Sequence, residues 1–321
     1  MKCRICKYPG GGKRFTAREM FFGIRSEHDY YMCPVCECLQ IVDIPSDMDR
    51  YYNASYYSMR KEEDSLLRRI LLSLRNRYII WGKGLLGKLL FQMFPTELYL
   101  FLEPLKNIIT VDSSILDVGC GSGKLLLGLK RAGFKRLLGI DPFIGEDIFD
   151  GGRILVKKQS IFDLSEKDDE FDLVMFHHSL EHIYNPADVL LQTAKMLSQG
   201  GICVVRVPLV SSFAWQKYGV NWVQLDAPRH FYLHTPKSIS ILAETTGFNL
   251  GPVLFDSTSF QFWGSEQYLR GIPLMDERSY AVNPRKSIFS KDDISAFEKR
   301  AHELNSKKRG DQAIFYLYKR S

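Results

Sequence analysis

The chain has 321 residues, a hydrophobic fraction of 45% and a formal net charge of +6. This length accommodates one large α/β domain with an appended module, and so modest a charge does not by itself indicate a nucleic-acid partner. No apolar run reaches the roughly 20 residues that a membrane-spanning helix needs, and the N-terminal segment has no apolar signal region. We therefore expect a cytoplasmic protein, in which cysteines tend to bind metal rather than form disulfides.

Five of the seven cysteines lie in the first 38 residues. Four of them form two C-x-x-C pairs, Cys3 with Cys6 and Cys33 with Cys36. Two such turns aim four thiolates at one tetrahedral ion, which predicts a structural Zn²⁺ site. Cys38 is a further cysteine that could replace Cys36. Because residues 1–48 are too few to bury much core, the metal would supply the folding energy of a small zinc-ribbon-like module.

Residues 49–107 are interpreted as a helical linker. Between residues 66 and 94, apolar side chains recur every three or four positions, accompanied by basic residues and no acid. A basic amphipathic helix of this kind can make peripheral contact with an anionic membrane. The simpler interpretation, which we favour, is a helix packed on the catalytic domain with its basic face in solvent. Three glycines make the second half a poor free helix.

The stretch 115–124, ILDVGCGSGK, predicts a buried strand, a glycine turn and the start of a helix. Asp117 is followed by alternating glycines at Gly119, Gly121 and Gly123, a residue type needed where the backbone passes close to a ligand or takes positive φ. The spacing differs from the G-x-G-x-x-G of dinucleotide folds, and no G-K-[ST] follows. The loop is therefore not built mainly for a pyrophosphate, which disfavours a dehydrogenase.

Short apolar strands alternate with helices after this loop. A second strand ends in Asp141, where an acid can accept hydrogen bonds from both hydroxyls of a ribose. Further strands are predicted over 153–156, 171–176, 202–207, 252–256 and 313–318. Helices are predicted from Asn185-Pro186 to 197, from Thr235-Pro236 to 246, and from Ser290 to about 307.

The ordered segments ILDVGCGSG, GIDP, FDLVMFHHSLEH, MLSQGG and ICVVRVP resemble class I S-adenosylmethionine (SAM) methyltransferases over about residues 108–210. The resemblance implies an α/β fold with a Rossmann-like seven-stranded sheet in a domain spanning 108–321. It also implies a set of cofactor-binding residues: Asp117, Gly119, Gly121, Gly123, Asp141, Phe162, Asp163 and His177. Asp163 would reach the adenine amino group, or alternatively is an ordinary loop acid.

The C-x-x-C pairs and the segment 222–230, WVQLDAPRH, resemble zinc-containing methyltransferases of bacterial surface-polysaccharide and sugar biosynthesis clusters. This narrower resemblance implies a sugar, glycan precursor or related small molecule as methyl acceptor. Two other hypotheses are an RNA-modifying methyltransferase that holds nucleic acid with its zinc module, and a non-catalytic SAM-binding protein. Nucleic acid is disfavoured because the chain lacks a strong basic stripe. The acceptor, the atom methylated and the oligomeric state are left open.

Two segments, 211–234 and 257–310, are rich in aromatic residues and are predicted to cap the site. Aromatic faces stack on sugar rings, but the same side chains would equally pack the cap itself. Such aromatic residues include Phe213, Trp215, Tyr218, Trp222, Phe231, Tyr232, Phe260, Phe262, Trp263 and Tyr268.

A hydroxyl acceptor must lose a proton, and histidine suits that role at neutral pH. The predicted catalytic bases are His178, at the end of the fourth strand, and His230 in the cap. Since neighbouring strand residues face opposite sides, only one of His177 and His178 is expected to face the site. The segment Leu180-Glu181-His182 resembles a largely structural signature of the family.

We predict one acceptor pocket with His178 on one wall and the cap residues Trp222, Arg229 and His230 on the other. The planar guanidinium of Arg229 would hold an anionic group such as a phosphate. Alternatively, Asp226 and Arg229 pair with each other and brace the loop.

Overall fold

The structure is a computed structural model that describes residues 2–52, 65–94, 96, 99–165 and 170–320. Residues 53–64 of the predicted linker therefore lie outside the described residues. The described strands are β1 (Lys13–Arg18), β2 (Glu27–Met32), β3 (Leu39–Ile41), β4 (Ser114–Val118), β5 (Arg136–Ile140), β6 (Ile148–Asp150), β7 (Arg153–Lys157), β8 (Phe171–His177), β9 (Leu197–Pro208), β10 (Tyr232–Leu233), β11 (Phe248–Phe255) and β12 (Gln312–Lys319). The described α-helices are α1 (Leu66–Trp81), α2 (Leu85–Met93), α3 (Lys124–Ala132), α4 (Pro186–Met196), α5 (Phe213–Tyr218), α6 (Pro236–Thr245), α7 (Phe260–Leu269) and α8 (Lys291–Ser306).

The central sheet has the order β11-β12-β9-β8-β4-β5-β7-β6. All seven predicted strands are present, and the run from β9 to β7 is parallel, whereas β12 runs antiparallel to both neighbours. The eighth strand, β6, was not predicted. It forms a short hairpin with β7 at the edge of the sheet, through Gly151 and Gly152, which have φ values of 60° and 78°. Two successive positive φ values suit the tight turn of a hairpin.

Strand β4 lies in the middle of the sheet, and all five of its residues are buried. Its side chains alternate between two apolar cores, as the two-residue period of a strand requires. Leu116 belongs to the core that also contains the N-terminal module, whereas Ile115 packs in the core on the other face with Phe101. The carboxyl end of β4 leads directly into the glycine loop, so the core fixes where that loop starts.

The N-terminal module shares a sheet with the catalytic domain. Strands β1, β2 and β3 are followed in sheet order by β10, whose Tyr232 and Leu233 pair antiparallel with Gln40 and Leu39. The predicted boundary at residue 48 thus divides a sheet that the segment 211–234 completes. Because β10 comes directly after Arg229 and His230, the module holds the cap segment that carries these side chains.

The basic segment 66–94 forms two helices rather than one. Helix α1 ends at Gly82, which has a φ of 68°, and Gly84 with a φ of 101° precedes α2. These positive φ values favour glycine, so Gly82 and Gly84 form the turn between the two helices, whereas Gly87 lies within α2. In the described part of the chain, no helix is both long and apolar enough to cross a membrane.

The predicted helix starts in the second half are confirmed. Thr235 and Ser290 each accept a hydrogen bond from the backbone N–H three residues later, and Ser238 and Asp293 return a bond to the cap. This reciprocal arrangement satisfies two helix donors that otherwise lack a partner. Helix α4 begins with Pro186 at its first position, where the missing N–H of proline does no harm.

Candidate active site at the carboxyl edge of the sheet

The glycine loop leaves β4 in a conformation that only glycine adopts readily. Gly119, Gly121 and Gly123 have φ values of 72°, 53° and 72°. A Cβ added to Gly119 would lie 2.6 Å from the Cβ of Ser179, and one added to Gly123 would lie 2.7 Å from Val156. The loop therefore needs glycine both for its dihedral angles and for close contact with Ser179 after β8 and Val156 in β7.

Two acids lie beneath this loop at the ends of β4 and β5. Asp141 accepts hydrogen bonds from the backbone N–H groups of Gly121 and Phe143, both at 2.9 Å. Asp117 is 2% exposed, and its Oδ1 has no hydrogen-bond partner among the described residues. Burial, with the nearby charge of Asp141, raises the pKa of Asp117 to about 8. A cationic ligand would offset both the burial of Asp117 and its repulsion with Asp141.

The third acid, Asp163, lies at the surface in a short turn after β7. Its Oδ2 accepts hydrogen bonds from the backbone N–H and the hydroxyl of Ser160, both at 2.8 Å, and these bonds lower the pKa of Asp163. The adjacent Phe162 is 56% exposed. Asp163 thus acts as a turn cap through one oxygen, and its contact with adenine stays a prediction.

The two histidines at the end of β8 diverge, as the strand period predicts. The ring of His177 packs edge-on against Phe101 with centroids 4.5 Å apart. Its Nε2 is buried without a partner in the described structure, and burial holds its pKa well below the usual value. His178 has a positive φ of 52° and a side chain that is 26% exposed. A non-glycine residue in this region is strained, and such strain clusters at functional sites.

Glu181 lies at the centre of a histidine cluster just beyond His178. It is fully buried, and neither carboxylate oxygen accepts a hydrogen bond from any residue that the structure describes. His178 Nδ1 lies 3.5 Å and His230 Nε2 lies 3.9 Å from its Oε1. The potential ligand atoms of Glu181, His182 and His230 lie within 4.8 Å of one another, a separation that one cation could bridge.

Hydrogen bonds to the backbone fix the protonated nitrogen of two of these rings. His230 Nδ1 lies 2.7 Å from the carbonyl oxygen of Gln224, and His182 Nδ1 lies 2.8 Å from that of Arg229. A carbonyl only accepts, so both Nδ1 atoms donate and Nε2 carries the lone pair in each neutral ring. The ring of His230 is therefore oriented with its basic nitrogen near Glu181.

The structure corrects the predicted acceptor wall. Arg229 is fully buried and its guanidinium is paired with Asp226 and with Glu19 of the N-terminal module. Trp222 is also fully buried, and its indole N–H donates to Asp311 at 2.9 Å. Neither side chain is available to an acceptor. The bracing interpretation of Asp226 and Arg229 is the one that the contacts support.

Most of the predicted cap aromatics also pack inside the protein. Six of them are less than 9% exposed: Tyr218, Trp222, Phe231, Tyr232, Phe262 and Tyr268. A buried ring has no face left for a sugar, so these residues pack the cap.

Two residues at this edge of the sheet, Tyr52 and Glu181, were not predicted from the sequence to belong to the site. Tyr52, from the tyrosine-rich start of the linker, lies 3.0 Å from His182 Nδ1 through its hydroxyl. Its ring lies nearly parallel to that of Phe143, with centroids 6.2 Å apart, and Phe143 is 73% exposed. Glu181 was predicted to be structural, although its unpartnered oxygens indicate a site. Only the local abundance of tyrosine in the linker could have signalled Tyr52.

The four predicted metal ligands converge in the N-terminal module. The Sγ atoms of Cys3 and Cys36, and of Cys6 and Cys33, are each 3.6 Å apart, and all four lie within 4.8 Å of one another. Four sulfurs at about 2.3 Å from one tetrahedral ion have separations close to these values. Cys38 instead lies 4.0 Å from His234 Nδ1, so Cys36 is the fourth member of the cluster.

The fold and this edge define a class: a Rossmann-like domain whose glycine loop, buried acids and histidines meet at the carboxyl ends of parallel strands. A model of the family described as "Methyltransferase domain" matches residues 92–252, just over half of the chain. The chain therefore belongs to this methyltransferase family.

The individual proteins that are similar to this chain share only part of its length and a minority of its residues. A ubiquinone biosynthesis O-methyltransferase of Azorhizobium caulinodans is 26% identical over 162 residues, which cover 46% of this chain and 62% of the relative. A tRNA U34 carboxymethyltransferase of Shewanella amazonensis is 34% identical over 119 residues, or 34% of each chain. A solved SAM-dependent methyltransferase from Archaeoglobus fulgidus is 20% identical, with 72% of this chain and 99% of that chain covered and a TM-score of 0.43. The chain thus spans less than two thirds of the Azorhizobium caulinodans relative.

Proposed function

We propose that this protein transfers a methyl group from SAM to a sugar, glycan precursor or related small molecule. Membership of the methyltransferase family supports the reaction, and the narrower resemblance of the sequence supports the acceptor class. SAM supplies a methyl group already activated on a sulfonium. The protein's own task is to hold cofactor and acceptor in line and to remove a proton where the acceptor is a hydroxyl.

The residues at the glycine loop fit a cofactor of this kind. Gly119, Gly121 and Gly123 let the backbone approach it closely, and Asp117 has an unpartnered oxygen for a cationic group. Asp141 is the acid for the ribose hydroxyls. Phe162 and Asp163 lie exposed in the turn after β7. Their side chains are therefore accessible to an adenine ring.

One observation carries the proposal: the histidine cluster is built directly onto the glycine loop. The hydroxyl of Ser179 donates to the carbonyl oxygen of Val118 at 2.6 Å, and the Cα of Gly119 leaves no room for a side chain beside Ser179. His178 immediately precedes Ser179 in the chain, and Glu181 lies two residues after Ser179. A proton acceptor is therefore placed next to the loop that would hold the methyl donor.

His178 and His230 are the two proposed bases. His178 is the more exposed, with 26% of its side chain accessible, whereas the side chain of His230 is 9% exposed. Glu181 lies close to both rings and would stabilise the imidazolium that forms when either accepts a proton. In this arrangement Glu181 is a positioning residue rather than a group that contacts the reacting atoms.

Transfer of labelled methyl from SAM to a panel of nucleotide-sugars tests the proposal. Loss of a general base lowers turnover by about 10²–10⁴-fold, so His178→Gln or His230→Gln should do so with SAM affinity unchanged. His302→Gln, on the exposed side of α8, is the matched control. If neither cluster variant changes the rate with a genuine acceptor, histidine catalysis is wrong.

The relative from Shewanella amazonensis provides a reason to test a second acceptor class. Bulk tRNA should be included in the same labelling assay. Methyl incorporation into tRNA, with none into any small molecule, would replace the proposed acceptor by RNA while leaving SAM-dependent transfer intact.

The N-terminal cluster is proposed to hold one structural Zn²⁺. Besides the four thiols, the side-chain amide of Gln40 donates to Cys3 Sγ at 2.9 Å, and such a donor stabilises a metal-bound thiolate. Metal analysis of the purified protein should find one zinc per chain. The double variant Cys3→Ser, Cys33→Ser should lose it, whereas Cys38→Ser should retain it. Full occupancy in the double variant would contradict the site.

A further inference from the structure

Helices α1 and α2 expose a large apolar surface, called here the hairpin face. Leu85 is 88% exposed and Leu66 is 74% exposed, values far above those of an ordinary packed helix. The hairpin face consists of Leu66, Leu67, Ile70, Leu71, Leu85, Leu86, Leu89, Met93 and Phe94. So many large apolar side chains exposed along two neighbouring helices are unusual on soluble monomers and indicate a protein or membrane contact.

The second half of α1 is held against the catalytic domain by hydrogen bonds. Ser73 donates through its hydroxyl to the carbonyl oxygen of Arg131 at 2.7 Å, and the Trp81 indole donates to that of Ala132 at 2.9 Å. Asn76, which is 2% exposed, donates to Tyr99 and Gly128. These bonds dock the second half of α1 on α3. The leucines of the hairpin face lie in the first half of α1 and in α2, outside these bonds, and they remain exposed.

The charged side chains within residues 66–94 are all basic. Residues 66–94 contain six basic side chains and no acid. Four of the six are exposed and form no ion pair with a described residue: Arg69, Arg77, Lys83 and Lys88. Helix α8 has the same length as α1, 16 residues. It differs because it carries acidic as well as basic residues, and because its exposed Arg300 forms an ion pair with Glu303.

A second copy of the chain and a nucleic acid are two other partners that could bind the hairpin face. Both fit its exposed leucines and cations less well than a membrane does. A second copy of the chain would bring two cationic surfaces together, and like charges in contact are unfavourable. A nucleic acid would use the cations, but it is recognised by stacking on aromatic rings and by polar groups, and leucines supply neither. Exposed apolar side chains accompanied by exposed cations are typical of a helix lying in the headgroup region of an anionic bilayer.

The geometry points to the hairpin face as a peripheral membrane-binding surface for anionic phospholipid. The leucines enter the boundary between headgroups and acyl chains, and the lysines and arginines contact lipid phosphates. The protein spans no bilayer in this arrangement; it lies on one side, with α3 and the central sheet behind the hairpin. The inference depends on the hairpin alone and holds whatever the methyl acceptor is.

Vesicle sedimentation with the full chain tests the inference. The protein should pellet with vesicles of phosphatidylcholine and phosphatidylglycerol in equal parts, and not with phosphatidylcholine alone. Two double variants, Leu85→Ser with Leu89→Ser and Lys83→Gln with Lys88→Gln, should each lower binding by about tenfold or more, since each removes one of the two contributions. Raising the salt concentration should weaken binding by the wild type.

Matched controls use similar residues on other surfaces. Leu191→Ser with Leu269→Ser changes leucines that are 45% and 52% exposed, and Lys291→Gln with Lys299→Gln removes exposed charges from α8. Neither should alter binding, and thermal unfolding should show that all four variants fold.

Three results would overturn the inference. The first is equal sedimentation with both vesicle types, or with none. The second is a concentration-dependent dimer in analytical ultracentrifugation that the leucine variant abolishes, which would assign the face to a second copy. The third is RNA binding that the lysine variant removes and the leucine variant leaves intact.

Discussion

The glycine loop and the turn from Asp226 to Arg229 both bury charge, but only the first leaves it unpartnered. Asp117 is 2% exposed, and its Oδ1 accepts no hydrogen bond from the described residues. Arg229 is 0% exposed, and all three guanidinium nitrogens donate to Asp226 or Glu19. An unpartnered buried group destabilises the fold, so it persists where a ligand completes it. Burial alone therefore does not distinguish Asp117 from Arg229, whereas their hydrogen bonds do.

Glu181 belongs with Asp117 by this criterion. Both of its oxygens lack a hydrogen bond within the described structure, although its backbone carbonyl accepts one from Phe231 at 2.8 Å. The backbone of Glu181 thus ties β10 to the glycine-loop side of the sheet, while its carboxylate remains for the histidines. The same residue serves the fold through its main chain and the site through its side chain.

The largest expected effect is on the free energy of unfolding, at the turn in which Arg229 pairs with Asp226 and Glu19. Arg229→Met should lower the free energy of unfolding by about 3–5 kcal/mol, because it leaves the buried Glu19 and Asp226 without a cation. Arg278→Met is the matched control, since Arg278 forms a similar two-bond contact with Asp276 at the surface. Its loss should change stability far less, because solvent screens both charges of this surface pair. Chemical denaturation of the two variants measures the difference.

The same two variants also test whether Arg229 braces the turn or binds ligand. If Arg229→Met is as stable as Arg278→Met and loses only turnover with the acceptor, Arg229 binds ligand rather than bracing the turn. A large loss of stability in both variants would show that exposure does not govern these pairs.

The parts of the fold that follow one local pattern were predictable from the sequence. Strand β4, the glycine loop and the capped start of α8 each depend on neighbouring residues whose spacing is visible in the chain. The hairpin of β6 was missed because its strand has only three residues, too few for a clear alternation, although Gly151-Gly152 marked the turn.

The candidate site was predictable only in part. Proximity of His178 to the loop followed from the order of parallel strands, whose carboxyl ends share an edge. The pairing of Arg229 with Glu19 joins residues 210 positions apart, and no local spacing contains that information. The completion of the module's sheet by β10 has the same origin, since a strand of two residues is recognised only by the partner it meets.

A smaller effect is expected on SAM affinity when Asp141 is replaced. Asp141→Ala should weaken SAM binding by roughly 1–3 kcal/mol, because it removes a charged acceptor for the ribose and for the loop N–H groups. Asp147→Ala is the control, since Asp147 also accepts a backbone N–H, from Lys158 at 2.7 Å, but lies farther along the same loop. Calorimetry with SAM measures both. Equal affinities in the two variants would remove Asp141 from the cofactor site.

The smallest and most specific effect concerns protonation of Asp117. Burial, with the charge of Asp141, raises its pKa to about 8, so Asp117 is mostly protonated below that pH and ionised above it. A cationic cofactor binds the ionised form better, and its affinity should therefore fall as the pH drops below about 8, by at most tenfold or about 1.4 kcal/mol per unit. Without ligand, the raised pKa acts in the opposite sense, because the folded state loses stability as the pH rises from the unfolded value towards about 8. Asp117→Asn should flatten both dependences and make the ligand-free protein more stable at alkaline pH, because the variant has no buried charge to form. Calorimetry and denaturation across the pH range measure the two slopes, and a variant that keeps the wild-type slope in SAM affinity would show that another group binds the cation.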